Sequence, residues 1–89
     1  MLFRSDDVLS IGALSAAQSF GLSVPGDLGL IGLNDMEMAG WPNINLTTIH
    51  QPFDAIVAAS VAQMVALLST PDLPPVAQIF DCHLVTRGT

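Results

Sequence analysis

Leu28-Gly29-Leu30-Ile31-Gly32-Leu33-Asn34-Asp35 is a continuous apolar run, relieved only by glycines at 29 and 32, that ends on an amide and a carboxylate. A short uncharged run of this kind, preceded by the turn residues Pro25-Gly26-Asp27, suits a strand over 28–33 buried on both faces, as in a parallel sheet covered by helices. Asn34 and Asp35 then stand at the carboxyl end of that strand, where open α/β sheets collect ligands.

On the amino-terminal side, Ser5, Asp6 and Asp7 offer cap oxygens to a helix over Val8–Phe20, a stretch with neither proline nor charge, and Gly21 supplies its stop. Leu9, Ala13, Ala16, Ala17 and Phe20 form one apolar stripe on this helix, and Val8, Ile11 and Leu14 form another. Two stripes call for two burial partners: a sheet and a second surface, or ordinary core on both sides. Leu2-Phe3 reads as the tail of a strand begun upstream, and 22–27 as a connection.

On the carboxyl side, 36–46 reads as a loop, Thr47-Thr48-Ile49 as a short extended piece and Gln51-Pro52 as the start of a second helix, Phe53–Leu68. Phe53, Val57, Val61, Met64 and Leu68 share one face of it, and Ser69 to Asp72 stop it. After the stiff Leu73-Pro74-Pro75 linker, Gln78-Ile79-Phe80 and Leu84-Val85-Thr86 read as two more strands. Strands alternating with helices predict an α/β fold with a parallel sheet.

Eighty-nine residues fit one small domain or a piece of a larger one, and exclude two independent domains. A chain this short buries only about 60 to 65% of its unfolded surface. With 51% hydrophobic residues and a mean hydropathy of +0.57, it is expected to leave an apolar face uncovered. The net charge is -6, and Arg4 and Arg87 are the only cationic side chains apart from the histidines, too few to neutralise a run of phosphates. Direct nucleic-acid binding and attachment to an anionic membrane are therefore not expected. The longest uncharged, mostly apolar run, Ala55 to Leu68, falls short of the ~20 residues that span a bilayer. The start carries no secretory signal, and the single cysteine precludes an intramolecular disulfide, so a soluble cytoplasmic protein is expected.

No chemical motif of an enzyme stands out. A zinc site would need His50, Cys82, His83 and a carboxylate to converge, yet Cys82 and His83 are adjacent and would point to opposite faces of a strand. Nothing around Cys82 resembles a nucleophile elbow, Asp6-Asp7 suits a helix start better than an acid–base pair, and no phosphate-cradling glycine motif occurs. No catalytic residue, metal or cofactor is expected. A polar cluster survives: Asp6 after one strand end and Asn34 after the next, flanked by Gln51 and Phe53. If those strands are neighbours, a carboxylate and an amide overhang one crevice and can bind vicinal hydroxyls, while an aromatic ring covers the apolar face of a sugar. The alternative is that these residues only cap a helix and form a turn.

Asp6-Asp7-Val8-Leu9-Ser10-Ile11-Gly12-Ala13-Leu14, Gly21 to Asp27, Gly32-Leu33-Asn34-Asp35, Leu46-Thr47-Thr48-Ile49-His50-Gln51-Pro52 and Leu84 to Thr89, in this order, resemble the lactose/galactose repressor (LacI/GalR) family along almost the whole chain. The resemblance implies an incomplete carboxyl-terminal subdomain of a type I periplasmic-binding-protein-like fold, with residues 1–89 forming one partial sensor domain. It implies a non-enzymatic transcriptional regulator that senses a small metabolite of the sugar or polyol class, works as a homodimer, and contacts DNA only through a domain this chain lacks. Asp6 and Asn34 fall on effector-binding positions, with Asn34 replacing a frequent Asp, and Gln51 and Phe53 fall near the pocket wall. Asp7 falls on the following Asp and reads as the helix cap. Val8, Ile11, Ser15 and Trp41 fall on the dimerisation surface. The second helix departs from the family in its apolar outer face and in Val57, which replaces a frequent Gly. A fragment of a periplasmic sugar-binding transport protein, or a short protein that pairs with full-length regulators, remains as an alternative.

Overall fold

The computed structural model describes residues 1–89. Its elements are β1 (Leu2–Arg4), α1 (Asp7–Ser19), β2 (Gly29–Asn34), a single 3-10 turn (Glu37–Gly40), β3 (Thr48–His50), α2 (Phe53–Ser69) and β4 (His83–Val85). They fall into two compact units, one formed by residues 1–51 with 82–89 and the other by 52–81.

In the first unit the sheet order is β1-β2-β3-β4. β1 and β2 are parallel, as are β2 and β3, and β4 runs antiparallel to β3. The expected parallel sheet is present in β1 to β3, and β4 adds an antiparallel edge strand. Alternation of element types does not fix the direction of a strand that follows a long non-helical stretch, here residues 70–82. The expectation that β2 is buried on both faces is corrected. Leu30 and Gly32, on one face, are buried, whereas on the other Ile31 is half-buried and Leu33 exposed. A continuous apolar run states what can be buried, not how many faces find a cover.

α1 begins at Asp6, whose Oδ1 accepts the Leu9 N–H at 2.9 Å. It ends where Gly21 takes φ +74° and Gly21 and Leu22 donate to the carbonyls of Gln18 and Ala17, the hydrogen-bond pattern of a Schellman stop. The buried face is Asp7, Ser10, Leu14 and Ala17. This redraws the two predicted stripes: Val8, Leu9 and Phe20 point to solvent, and one residue from each stripe shares the inner face with two polar side chains. The polar pair is admitted because the sheet supplies partners. Ser10 Oγ donates to the Ile31 carbonyl at 3.2 Å, and Asp7 is satisfied as described below.

Leu14, Leu30, Ala39 and Leu46 form the core, with Ile11, Ala13, Val24, Leu28, Met36 and Ile44 packed around it. The predicted loop is therefore folded: the Leu46 N–H donates to Ala39 and the Asn45 N–H to Trp41. The last residues are tied to the same region. Thr89 Oγ1 donates to the Leu30 carbonyl at 2.9 Å and accepts the Thr47 N–H at 2.8 Å.

In the second unit α2 forms as predicted, extended by one residue to Ser69, but none of its residues is buried. Gln78–Phe80 does not become a strand, which corrects that expectation, and Ile79 stays 93% exposed. No helix of the chain is long and apolar enough to cross a membrane.

Candidate functional site

Three parallel strands end side by side, so Asp6, Asn34-Asp35 and His50-Gln51 follow adjacent carboxyl ends. Asn34 and His50 are register partners at that edge. This is the edge at which doubly wound sheets bind ligands.

The helix cap is Asp6 and not Asp7, which corrects the expected assignment of the cap. Asp6 is exposed and caps α1, which leaves its carboxylate at the surface beside Arg4, Ser5, Ile31, Leu33 and Ile49 around a hollow of about 310 Å³. Asp7, read as the cap, is instead 1% exposed. Its Oδ1 accepts the Thr48 hydroxyl at 2.6 Å and its Oδ2 the Met36 N–H at 2.7 Å. Either residue can cap a helix; only the buried Thr48 hydroxyl and the Met36 N–H, far along the chain, decide which one turns inward.

Asn34 and Gln51 are brought together, with Gln51 Nε2 donating to Asn34 Oδ1 at 2.8 Å. Asn34 sits at φ +116°, a conformation asparagine tolerates better than most residues. The arrangement leaves the Asn34 NH2 group and the Gln51 carbonyl to serve as donor and acceptor. Phe53 is the first residue of α2, in the second unit, and is about half exposed. Of the expected interface residues, Val8, Ser15 and Trp41 are exposed, whereas Ile11 is half-buried and packs against the core.

Sequence reasoning missed a cluster centred on Asp35. Arg87 Nη2 donates to Asp35 Oδ1 at 2.8 Å while Nη1 donates to the Leu46 carbonyl at 2.8 Å, and His50 Nδ1 lies 2.9 Å from Asp35 Oδ2. The rings of His50 and His83 lie with centroids 4.8 Å apart and planes inclined at 33°. Asp35 and Arg87 are 52 residues apart, and no local pattern links them.

Burial alone pushes the Asp35 carboxyl up, but the hydrogen bonds and positive charge of Arg87 and His50 outweigh it and hold the group below its ordinary 3.8. A carboxylate depressed in the folded state contributes stability that is complete above its unfolded value and disappears as pH falls through the folded one. Asp35→Asn should therefore flatten the acid limb of stability below pH 3.8, with little change in the shape of the curve above it. Urea midpoints measured down the acid range for both proteins check this, and parallel curves would refute it.

The periplasmic binding protein-like domain family matches residues 2–89. The chain is 32% identical over 88 residues to the HTH-type transcriptional repressor CytR of Escherichia coli, covering 99% of this chain and 26% of that protein. It is 33% identical over 88 residues to the HTH-type transcriptional regulator MalR of Clostridium butyricum, again covering 99% and 26%. Among solved structures it superimposes on the Lac repressor bound to ONPG with a TM-score of 0.83 at 29% identity, over 99% of this chain and 27% of that one. A LacI-family regulatory protein from Corynebacterium glutamicum gives a TM-score of 0.74 at 34% identity, over 100% of this chain and 35% of that one. The chain thus spans about a quarter of the length of the curated relatives it matches. With the sheet, the edge and the matches in agreement, the chain belongs to the periplasmic binding protein-like domain family and is similar to one part of LacI-type transcriptional regulators.

Proposed function

We propose that this chain supplies one wall of the effector site, and part of the dimerisation surface, of a cytoplasmic LacI-type regulator whose effector is a sugar or related polyol. The observation that supports this most is the Asn34–Gln51 amide pair at the carboxyl edge of the parallel strands, next to the strand that leads to the exposed Asp6 carboxylate. Neutral donors and acceptors of this kind suit hydroxyls, and an amide at Asn34 in place of a carboxylate favours an uncharged ligand over an amine. Phe53 is assigned the role of covering an apolar sugar face. The chain is not an enzyme in this reading, and DNA is contacted through a domain outside it. Residues 1–89 are one part of the sensor domain.

Regulation requires the effector to bind two states of the parent protein with different affinity. The test is thermal-shift and calorimetric titration of the full-length protein with a panel of mono- and disaccharides. Asn34→Ala is expected to weaken the responding sugar about tenfold or more, the size of one lost hydrogen bond in a desolvated site. A panel with no response, or an unchanged affinity in Asn34→Ala, would overturn the effector assignment.

Dimerisation through Val8, Ile11, Ser15 and Trp41 is supported by the exposed apolar surface of Val8 and Trp41. Val8→Asp places a charge on this surface without disturbing the core. Sedimentation of the full-length variant is expected to show monomers at concentrations where the parent is dimeric, and an unchanged dimer would remove these residues from the interface.

A further inference from the structure

His50 and His83 are register partners in the antiparallel β3–β4 pair, so their side chains leave the same face of the sheet. Their ring centroids are 4.8 Å apart with planes inclined at 33°. Metal–imidazole bonds are about 2.0 to 2.1 Å long and lie in the ring plane, so turning the exposed His83 ring until a nitrogen of each imidazole points to the same spot brings both within reach of one ion.

His50 is also prepared electronically. The Asp35 carboxylate, with one oxygen fixed by Arg87, can only accept, so the proton of the neutral imidazole resides on Nδ1 and the lone pair on Nε2. A carboxylate behind the distal nitrogen is the usual way a ligating histidine is oriented and its tautomer fixed. Arg87 is the one cationic side chain facing this group, and it is occupied by Asp35 and the Leu46 carbonyl. The overall charge of -6 favours the approach of a cation.

We propose that His50 and His83 chelate one divalent transition-metal ion, with His50 Nε2 and a ring nitrogen of His83 as ligands and Asp35 as the positioning residue. No third protein ligand joins them. The remaining positions belong to water or to oxygens of a bound small molecule, which makes the site exchangeable rather than structural. All-nitrogen ligation places copper(II) first among the divalent ions and zinc(II) and nickel(II) behind it. This pair needs no contribution from Cys82, because the imidazole that joins His83 is that of His50 on the neighbouring strand β3.

The experiment is titration of the full-length protein with copper(II), read by calorimetry and by electron paramagnetic resonance. The expected result is a component whose hyperfine pattern reports two imidazole nitrogens, lost in His83→Ala with a fall in affinity of about tenfold or more. His83 is exposed, so this variant keeps the fold. Asp35→Asn should retain both nitrogens and weaken binding by about 10- to 100-fold, whereas a purely structural role for Asp35 would leave the affinity of the folded variant unchanged. A wild-type spectrum without a two-imidazole component, or one that His83→Ala leaves unaltered, overturns the proposal.

Discussion

Gly32→Ala is expected to destabilise the fold by about 3 kcal/mol, although alanine in the middle of a strand is ordinarily the better residue by roughly 0.5 to 1 kcal/mol. The reversal of sign comes from what faces the glycine. A Cβ at this position would overlap Asp7 Oδ1, stand 2.8 Å from Leu46 Cδ2 and 3.1 Å from Thr48 Oγ1. None of these can yield cheaply. Leu46 and Thr48 are fully buried, and both carboxylate oxygens of Asp7 are engaged. Urea unfolding should show a lower midpoint with an unchanged slope. The cost should also shrink in an Asp7→Ala background, because the carboxylate that resists the methyl group is then absent; neighbouring sites of this kind are non-additive. Equal costs in both backgrounds would mean that the clash with Asp7 is not what excludes a side chain from position 32.

The elements legible in the sequence are those set by local chemistry. α1 is readable from its cap aspartates and Gly21, β2 from its uninterrupted apolar run, and α2 from Gln51-Pro52 and the Ser69 to Asp72 stop. Asn34 and Gln51 were also selectable, since both follow strand ends, and the structure joins them. What could not be read depends on partners far along the chain. The inner face of α1 is half polar because Asp7 and Ser10 find acceptors and donors on β2, β3 and the segment after β2, and a hydrophobic pattern registers such positions as outward-facing. Gln78–Phe80 has strand composition but is not a strand, because strand propensity is weaker than the tertiary context that decides sheet membership. The Asp35–Arg87–His50 cluster requires β3 and the last residues to be brought beside the end of β2, which only the sheet order provides. The family resemblance located Asp6 and Asp7 together but could not say which one turns inward.

That choice carries the second large effect. Asp6→Ala should cost about 1 kcal/mol, the ordinary loss of one exposed helix cap. Asp7→Ala should cost about 3 kcal/mol or more, because it leaves the buried Thr48 hydroxyl and the Met36 N–H without their acceptor, each worth roughly 1 to 3 kcal/mol when unsatisfied, and removes a negative charge from the first turn of α1. Asp7→Asn should fall between them. The amide oxygen can still accept from Met36 N–H, and the NH2 group can donate to Thr48 Oγ1 if the hydroxyl turns its own proton away. Thr48 Oγ1 also accepts the Asp35 N–H at 3.3 Å, so the link from α1 runs through Thr48 to the residue that anchors Arg87 and His50. Losing Asp7 should therefore loosen the carboxyl edge of the sheet as well as the helix, seen as faster amide exchange at Asp35 and Met36 in Asp7→Ala but not in Asp6→Ala. The opposite ranking, with Asp6→Ala the more costly change, would return the inward role to Asp6 and remove the connection between the helix start and the site.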